Sequence, residues 1–185
     1  MQGVPAPVVS RMRHGAFVRG ADLFGPDFFS ISPAEASAMD PQQRLLLERG
    51  YVTLHGAGLS KAKLLGSAVA VNVGQWSSEF SQVLAASPVG QSVYANTGVS
   101  CSATCGRVSF ALGLQGPCVS HDTACSSALV ANHSSMRALE CDECPTALSA
   151  GINMILHASG AFATATGGFT SATGRCFTFV AQADG

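Results

Sequence analysis

The sequence contains little charge, and its only two lysines are Lys61 and Lys63. Charged residues make up 11% of the 185 positions, against about a quarter in an average soluble protein. No lysine follows Lys63, and residues 64–185 hold three arginines and six acidic residues. The net charge is −1, and no basic stripe is present, which argues against nucleic acid as a partner. So little charge predicts that much of this surface faces other protein.

The chain also lacks the long apolar run that a membrane helix requires. Residues 144–174 carry no charge, but Ala, Gly, Ser and Thr dominate them, whereas a spanning helix needs about 20 mainly large apolar residues. The N-terminal segment MQGVPAPVVSRMRHG has no continuous apolar core and does not resemble a secretory signal. The seven cysteines, an odd number without secretory features, are interpreted as reduced thiols. We therefore expect an intracellular protein, cytoplasmic or in an organellar stroma, without a membrane span.

The pattern of apolar segments predicts a layered α/β fold. An apolar fraction of 47% excludes a disordered chain, and 185 residues is the length of one domain. The apolar run over 67–74 predicts a strand buried on both faces. A second apolar strand is predicted over 146–156, with a shorter strand over 118–121 between the two. Helices are predicted at 33–39, after the Asp40-Pro41 start signal, and over 76–86, 98–112 and 123–140. This order indicates a parallel or mixed sheet, whereas residues 1–25 are predicted to be a loop-like lead-in.

A candidate nucleophile lies between the short strand and the last helix, in the segment HDTACSSALVANHSS. Cys125 follows a Thr-Ala turn and stands at or beside the start of the helix. The unpaired N–H groups and the dipole of a helix N-terminus favour a thiolate over a thiol, and the backbone N–H of Cys125 can face a developing oxyanion. Small neighbours such as Ala124 and Ser126 leave room for an acyl group. The alternative interpretation is a cysteine that packs as a small apolar residue.

Several long segments resemble one family. DTACSSALVA resembles the active-site segment of the β-ketoacyl synthase (ketosynthase) domain of type I polyketide synthases and animal-type fatty acid synthases. FFSISPAEASAMDPQQRLLLE and NTGVSCSATCGRVSFALGLQGPCVS resemble segments before it, and ECPTALSAGINMIL and GRCFTF resemble segments after it. The order and spacing agree from about residue 24 to residue 185. We therefore expect residues 1–23 to be a lead-in and residues 24–185 to be the N-terminal part of a ketosynthase domain, with MDPQQR and DTACSS favouring the polyketide members.

The resemblance implies a thiolase-like layered αβαβα fold of two similar halves, of which this sequence resembles the first. It implies that Cys125 takes an acyl group from the phosphopantetheine arm of an acyl carrier protein, before a decarboxylative Claisen condensation with malonyl carrier protein. It implies no metal or redox cofactor, and a homodimer formed through the strand around Cys118–His121. The family's two catalytic histidines and a glycine-rich oxyanion loop correspond to positions after Gly185, so these 185 residues alone are expected not to condense.

Two alternatives to condensation stay open: a truncated relative that acts as a structural or interaction subunit, and self-acylation or thioester hydrolysis at Cys125. No histidine of this sequence lies in the family's histidine motifs. All are interpreted as packed or surface imidazoles, namely His14, His55, His121, His133 and His157. The Cys141–Cys144 CxxC has no second ligand pair, so we expect no metal or redox role for it. Cys101, Cys105 and His121 stand where the family usually has other residues.

Overall fold

The larger part of the chain is built around a short parallel sheet. The computed structural model describes residues 4–76 and 78–184, which fall into two units: residues 20–154, and residues 4–19 with 155–184. The strands are β1 (Val69–Gln75), β2 (Cys118–His121) and β3 (Thr146–Ile152). The α-helices are α1 (Ala6–Arg11), α2 (Pro33–Ala38), α3 (Pro41–Gly56), α4 (Lys61–Leu64), α5 (Phe80–Ala85), α6 (Ala95–Val99), α7 (Cys101–Leu112), α8 (Ser127–Glu140) and α9 (Ala158–Thr166). Short 3₁₀ helices cover Pro26–Phe29, Pro88–Gln91 and Ala124–Ser126.

The sheet has the order β2-β1-β3, and both strand pairs are parallel. Val71 at the centre of β1 pairs with Cys118 on one side and with Leu148 on the other. Every residue of β1 is buried, because a central strand of a parallel sheet is covered on both faces. The predicted α/β fold with a parallel sheet is therefore confirmed.

Helices cover both faces of this sheet. α3 and α7 pack on one face, where the main apolar core includes Leu47, Val71, Val108 and Leu148. α8 covers the other face, where the buried side chains are small, as at Ala70 and Ala138. Successive strand residues point to opposite faces, so β1 supplies Val69, Val71 and Val73 to the large core and Ala70, Asn72 and Gly74 to the side of α8. These small residues let α8 lie close to the sheet.

The unit formed by residues 4–19 and 155–184 contains two helices that the sequence analysis missed. α1 lies in the predicted loop-like lead-in, and α9 lies in the glycine-rich tail; the two helices contact each other. Pro7 lies in the first turn of α1, where a proline's missing N–H costs nothing. Arg11 at the end of α1 donates from Nη1 to the carbonyl oxygens of Gly168 (3.4 Å) and Asp184 (3.1 Å).

The MDPQQR motif forms a buried polar cluster at the start of α3. Asp40 is fully buried and, as predicted, caps the helix: Oδ1 accepts from the backbone N–H of Gln42 at 2.8 Å. Its Oδ2 accepts from Gln42 Nε2 (3.2 Å) and from the hydroxyl of Ser78. Gln42 Oε1 in turn accepts from the backbone N–H of Met154 at 3.2 Å, beyond the end of β3. The cap therefore joins α3 to two other segments.

The next two residues of the motif extend this cluster. Gln43 donates from Nε2 to the carbonyl oxygens of Thr97 (3.1 Å) and Ser100 (3.3 Å). Arg44 donates from Nε and Nη2 to the carbonyl oxygen of Met39, at 3.0 and 2.7 Å. Burial lowers the pKa of Arg44, and the nearby Asp40 carboxylate partly offsets this shift. The Arg44 guanidinium therefore bonds to the backbone beside the N-terminus of α3 and is not a free surface charge.

Three predicted elements differ from the structure at their ends. The predicted helix over 98–112 is interrupted at Ser100, which has an extended backbone (ψ 120°) and separates α6 from α7. The helix predicted from residue 76 begins only at Phe80, and Trp76 before it is exposed. The strand predicted to residue 156 ends at Ile152.

None of the helices within residues 4–76 and 78–184 has the length and apolar character needed to cross a membrane.

The buried cap of α3 is expected to matter more than an exposed cap of the same kind. Asp40→Ala leaves several buried donors without an acceptor and should lower the free energy of unfolding by about 2–4 kcal/mol. Ser32 caps the exposed start of α2 by accepting from the N–H of Glu35 at 3.1 Å, so Ser32→Ala should cost about 1 kcal/mol. Urea unfolding of both variants measures the difference, and equal losses would contradict the structural role given to the buried cluster.

Candidate active site

Cys125 lies in a tight connection between the end of β2 and the start of α8. Two residues follow β2, and Cys125 is then the middle residue of the 3₁₀ turn Ala124–Ser126. α8 begins at Ser127, so the predicted single helix over 123–140 is preceded by this tighter turn. Cys125 is free and exposed. The expected strand–turn–helix arrangement is therefore present, with the thiol open to solvent.

Side chains on both sides of Cys125 hold the backbone of this turn. Asp122 Oδ1 accepts from the N–H of Ala124 at 3.1 Å. Ser127 Oγ accepts from the N–H of Thr123 at 2.8 Å and donates to the carbonyl oxygen of Ala124 at 2.7 Å. Ser126 Oγ donates to the carbonyl oxygen of Thr123 at 2.8 Å. The DTACSS sequence thus supplies its own hydrogen-bonding partners, because Asp, Thr and Ser side chains bond readily to nearby backbone.

The turn also contains a strained backbone position. Ala124 has a φ of +54°, the left-handed region that costs a residue with a Cβ about 1–2 kcal/mol. Such positions persist where the surroundings determine the conformation, and they concentrate at functional sites. This conformation reverses the chain between β2 and α8 immediately before Cys125.

Two glycines let the first turn of α8 approach the sheet. Gly74 in β1 and Gly151 in β3 are register partners on the face that α8 covers. A Cβ at Gly74 would lie less than 3.0 Å from backbone atoms of Ser127, and one at Gly151 would lie 2.5 Å from the Cβ of Ala128. No residue with a side chain fits either place without displacing the helix. The two strands thereby fix the distance between the Cys125 turn and the sheet.

A chain of polar contacts connects β2, β1 and α8 beneath this turn. His121 Nε2 and Asn72 Oδ1 are 3.1 Å apart, and Asn72 Nδ2 donates to Ser135 Oγ at 3.1 Å. Asn72 and Ser135 are buried. The imidazole of His121 is thus paired within the protein, whereas His133 on α8 and His55 on α3 are exposed. Sequence reasoning missed Asn72, although a lone polar residue within the apolar run SAVAVNVG was a signal.

The remaining cysteines divide between surface and core. Cys141 is exposed after the end of α8, and Cys144 is buried before β3. Cys118 lies in a strand but is exposed, because β2 is an outer strand. Among residues 4–76 and 78–184, no group of three or more His, Cys, Asp or Glu side chains is placed to hold a metal ion.

Comparison with known proteins gives the family. A family model described as "Beta-ketoacyl synthase, N-terminal domain" matches residues 3–185. The chain belongs to this β-ketoacyl synthase family. Its fold is the N-terminal part of the thiolase-like ketosynthase fold, as the resemblance implied. A ketosynthase from module 6 of the bacillaene synthase of Bacillus subtilis 168 superimposes with a TM-score of 0.82 at 32% identity, over 91% of this chain and 28% of that one.

The curated relatives of this ketosynthase-family chain are polyketide synthases. It is 44% identical over 171 residues to a subunit of the phenolphthiocerol/phthiocerol polyketide synthase of Mycobacterium tuberculosis. It is 45% identical over 174 residues to the polyketide synthase GfsB of Streptomyces halstedii. These alignments cover 92% and 94% of this chain, which spans only 11% and 3% of the two relatives.

The close approach at Gly74 predicts a sharp contrast between two glycine substitutions. Gly74→Ala must push the first turn of α8 away from the sheet and should lower the free energy of unfolding by about 1–3 kcal/mol. Gly106 in α7 has nothing within 4 Å of its added Cβ, so Gly106→Ala should instead raise it by about 0.5–1 kcal/mol through helix propensity. Denaturant unfolding checks both, and a neutral Gly74→Ala would contradict this packing of α8 on the sheet.

Proposed function

We propose that Cys125 is the acyl-accepting nucleophile of a polyketide-type ketosynthase. The observation that carries the proposal is the placement of an exposed thiol on a hydrogen-bonded strand–turn–helix connection with a strained residue directly before it. The first turn of α8 begins two residues later, and the first backbone N–H groups of a helix have no partner within the helix. Membership in the ketosynthase family supports the same assignment.

In the proposed first half-reaction, the Cys125 thiolate attacks the carbonyl carbon of an acyl thioester on a carrier protein's phosphopantetheine arm. The backbone N–H of Cys125 donates to the oxyanion that forms. The bond from carbon to the carrier's sulfur then breaks, the electron pair leaves on that sulfur, and a proton from solvent restores the carrier thiol. The acyl group remains on Cys125 as a new thioester.

In the proposed second half-reaction, a malonyl thioester loses CO₂, and the electron pair of the broken C–C bond becomes a carbanion. This carbanion attacks the acyl carbon and expels the sulfur of Cys125 as a thiolate, which completes the decarboxylative Claisen condensation. In the family that the sequence resembles, two histidines support the decarboxylation. They correspond to positions after Gly185. We assign only the acyl-accepting half of this chemistry to the residues that the structure describes, 4–76 and 78–184.

Acyl transfer is tested with propionyl-N-acetylcysteamine as donor. We expect a propionyl adduct on Cys125 by intact-mass and peptide analysis, because its thiol is free and exposed on the turn before α8. Cys125→Ala should lose the adduct, whereas Cys141→Ala, which removes another exposed cysteine beside the same helix, should keep it. Limiting iodoacetamide should likewise modify Cys125 about tenfold faster than Cys141 or Cys176.

Three other outcomes of these labelling experiments would favour a different function for the chain. An adduct that survives Cys125→Ala would show that another group accepts the acyl chain. A wild-type chain with equal labelling of its exposed cysteines and no adduct would favour a structural or interaction subunit. An adduct that forms and is then released to water would favour thioester hydrolysis.

We also propose that β2 is the contact between two copies of this chain. Among the described residues, β2 pairs only with β1, so its other edge presents unpaired backbone groups. Its sequence Cys118–His121 contains no lysine or proline, the residues that usually protect such an edge. A second copy can pair with the same strand around a two-fold axis, which makes the contact self-complementary.

A charge in this strand is expected to shift the dimer toward monomer. Val119 is 43% exposed, and Val119→Lys places two like charges close together across the proposed strand pair. Val52→Lys on α3, where the valine is 59% exposed, adds the same charge away from β2 and should leave the dimer intact. Light scattering at several concentrations measures the mass. A wild-type chain that stays monomeric at high micromolar concentration would contradict the proposal.

A further inference from the structure

Two cysteines, one from α7 and one from β2, meet in a pocket that the proposed condensation chemistry does not use. Cys105 lies on α7 and is 4% exposed, whereas Cys118 begins β2 and is exposed. The packing of α7 against β2 places the two cysteines on facing elements. Both line one pocket of about 310 Å³, and both are free. The two thiols therefore meet across the contact between a helix and the outer strand of the sheet.

The surrounding backbone holds this pair in place. α7 packs against β2, and the hydroxyl of Ser120 donates to the carbonyl oxygen of Cys101 at 2.7 Å. Ser120 and Cys118 lie two residues apart in the strand and so point to the same face, toward α7. The Cys105 thiol also lies 3.8 Å from the carbonyl oxygen of Ser102, to which it donates within the helix. The strand and the helix thus fix the approach of the two sulfurs.

We propose that Cys105 and Cys118 form a dithiol site that exchanges with a low-molecular-weight disulfide of the glutathione class and closes reversibly into a disulfide. The remaining proton of the pair moves onto the buried Cys105, and the thiolate of the exposed Cys118 attacks one sulfur of the small disulfide, whose S–S bond breaks and releases one small thiolate. The other cysteine loses its proton to solvent and attacks the protein sulfur of the mixed disulfide, which releases the second small thiolate. The two cysteines are oxidised by two electrons, and the small disulfide is reduced to two thiols.

The electrostatics of the pocket favour a thiolate on this pair. The hydrogen bond from Cys118 lowers the pKa of Cys105 to about 6 against the opposing effect of burial, and Ser120 adds to the lowering. The same hydrogen bond raises the pKa of Cys118. The pocket therefore favours loss of one proton from the pair and disfavours loss of the second.

The other titratable groups that line the pocket are Cys101, His121 and Asp122. Burial raises the pKa of Cys101, and Asp122 adds to this effect, so Cys101 stays a thiol at neutral pH. Cys101 is nevertheless the natural competitor, because it lies one helical turn before Cys105 on the same side of α7. The disulfide would join α7 to the strand that leads into the turn of Cys125.

The site is tested by incubating the full chain with oxidised glutathione and digesting it without reduction. Trypsin cleaves after Lys63, Arg107 and Arg137, so the expected disulfide joins the peptide 64–107 to the peptide 108–137. Each peptide contains a second cysteine, Cys101 in one and Cys125 in the other, and fragmentation of the linked pair identifies the bonded sulfurs. We expect a bond between Cys105 and Cys118 in the wild-type chain that dithiothreitol reverses.

Variants give an independent assignment of the bond. The linked peptides should persist in Cys101→Ser and Cys125→Ala, and they should disappear in Cys105→Ser and Cys118→Ser. A bond that uses Cys101 or Cys125, glutathione that stays on one cysteine without a link, or no reaction at the pair would each overturn the proposal. The wild-type digest decides the question even if a variant fails to fold.

The pH dependence of bond formation provides a second readout. A pair whose first proton leaves at a pKa of about 6 is already a thiolate at neutral pH, so the rate should level off above about pH 7. Free cysteine in the same assay should continue to accelerate toward its ordinary pKa of about 8.5. A pair that follows free cysteine would overturn the hydrogen-bonded thiolate as the reacting form.

Discussion

The close contact between the first turn of α8 and the sheet is the constraint on which the candidate site depends. Gly74 and Gly151 are register partners in β1 and β3, and each leaves room for helix atoms that a Cβ would displace. With the helix held at this distance, Ser127 can bond back to Thr123 and to Ala124. The position of the Cys125 turn therefore depends on two glycines in the strands beneath it, because a residue with a side chain at either place would push the helix away. Substitutions in the sheet are able to move the candidate nucleophile without touching it.

A second constraint acts on the opposite side of the sheet, at the buried start of α3. Asp40 and Gln42 are hydrogen-bonded to each other. Asp40 also accepts from Ser78, and Gln42 accepts from the backbone N–H of Met154. Polar groups that are fully buried stabilise a fold only when they are paired, and removal of one leaves its partners unpaired. The cluster thus specifies one arrangement of α3 relative to the segment that follows β3. A purely apolar contact would not select this arrangement so strictly.

The features that could be predicted from the sequence are those set by local patterns. Asp40-Pro41 marked the start of α3, the apolar runs marked the strands, and the residues around Cys125 marked a turn between a strand and a helix. The break at Ser100 could not be predicted in this way, because its carbonyl oxygen accepts from Gln43, which is distant in sequence. The exposure of Cys118 depends on the strand order, which local patterns do not contain. The same applies to the position of Cys118 and Cys105 in one pocket.

The strand order also has a consequence for how the chain folds during synthesis. β1 is the central strand, yet both strands that pair with it are made later, and β2 begins more than forty residues after β1 ends. At about 5–20 residues per second, the ribosome needs several seconds to complete the nearer partner. During that interval the apolar segment Val69–Gln75 has neither neighbour in place. The nascent chain therefore exposes an unpaired, aggregation-prone strand that chaperones can bind before the sheet forms.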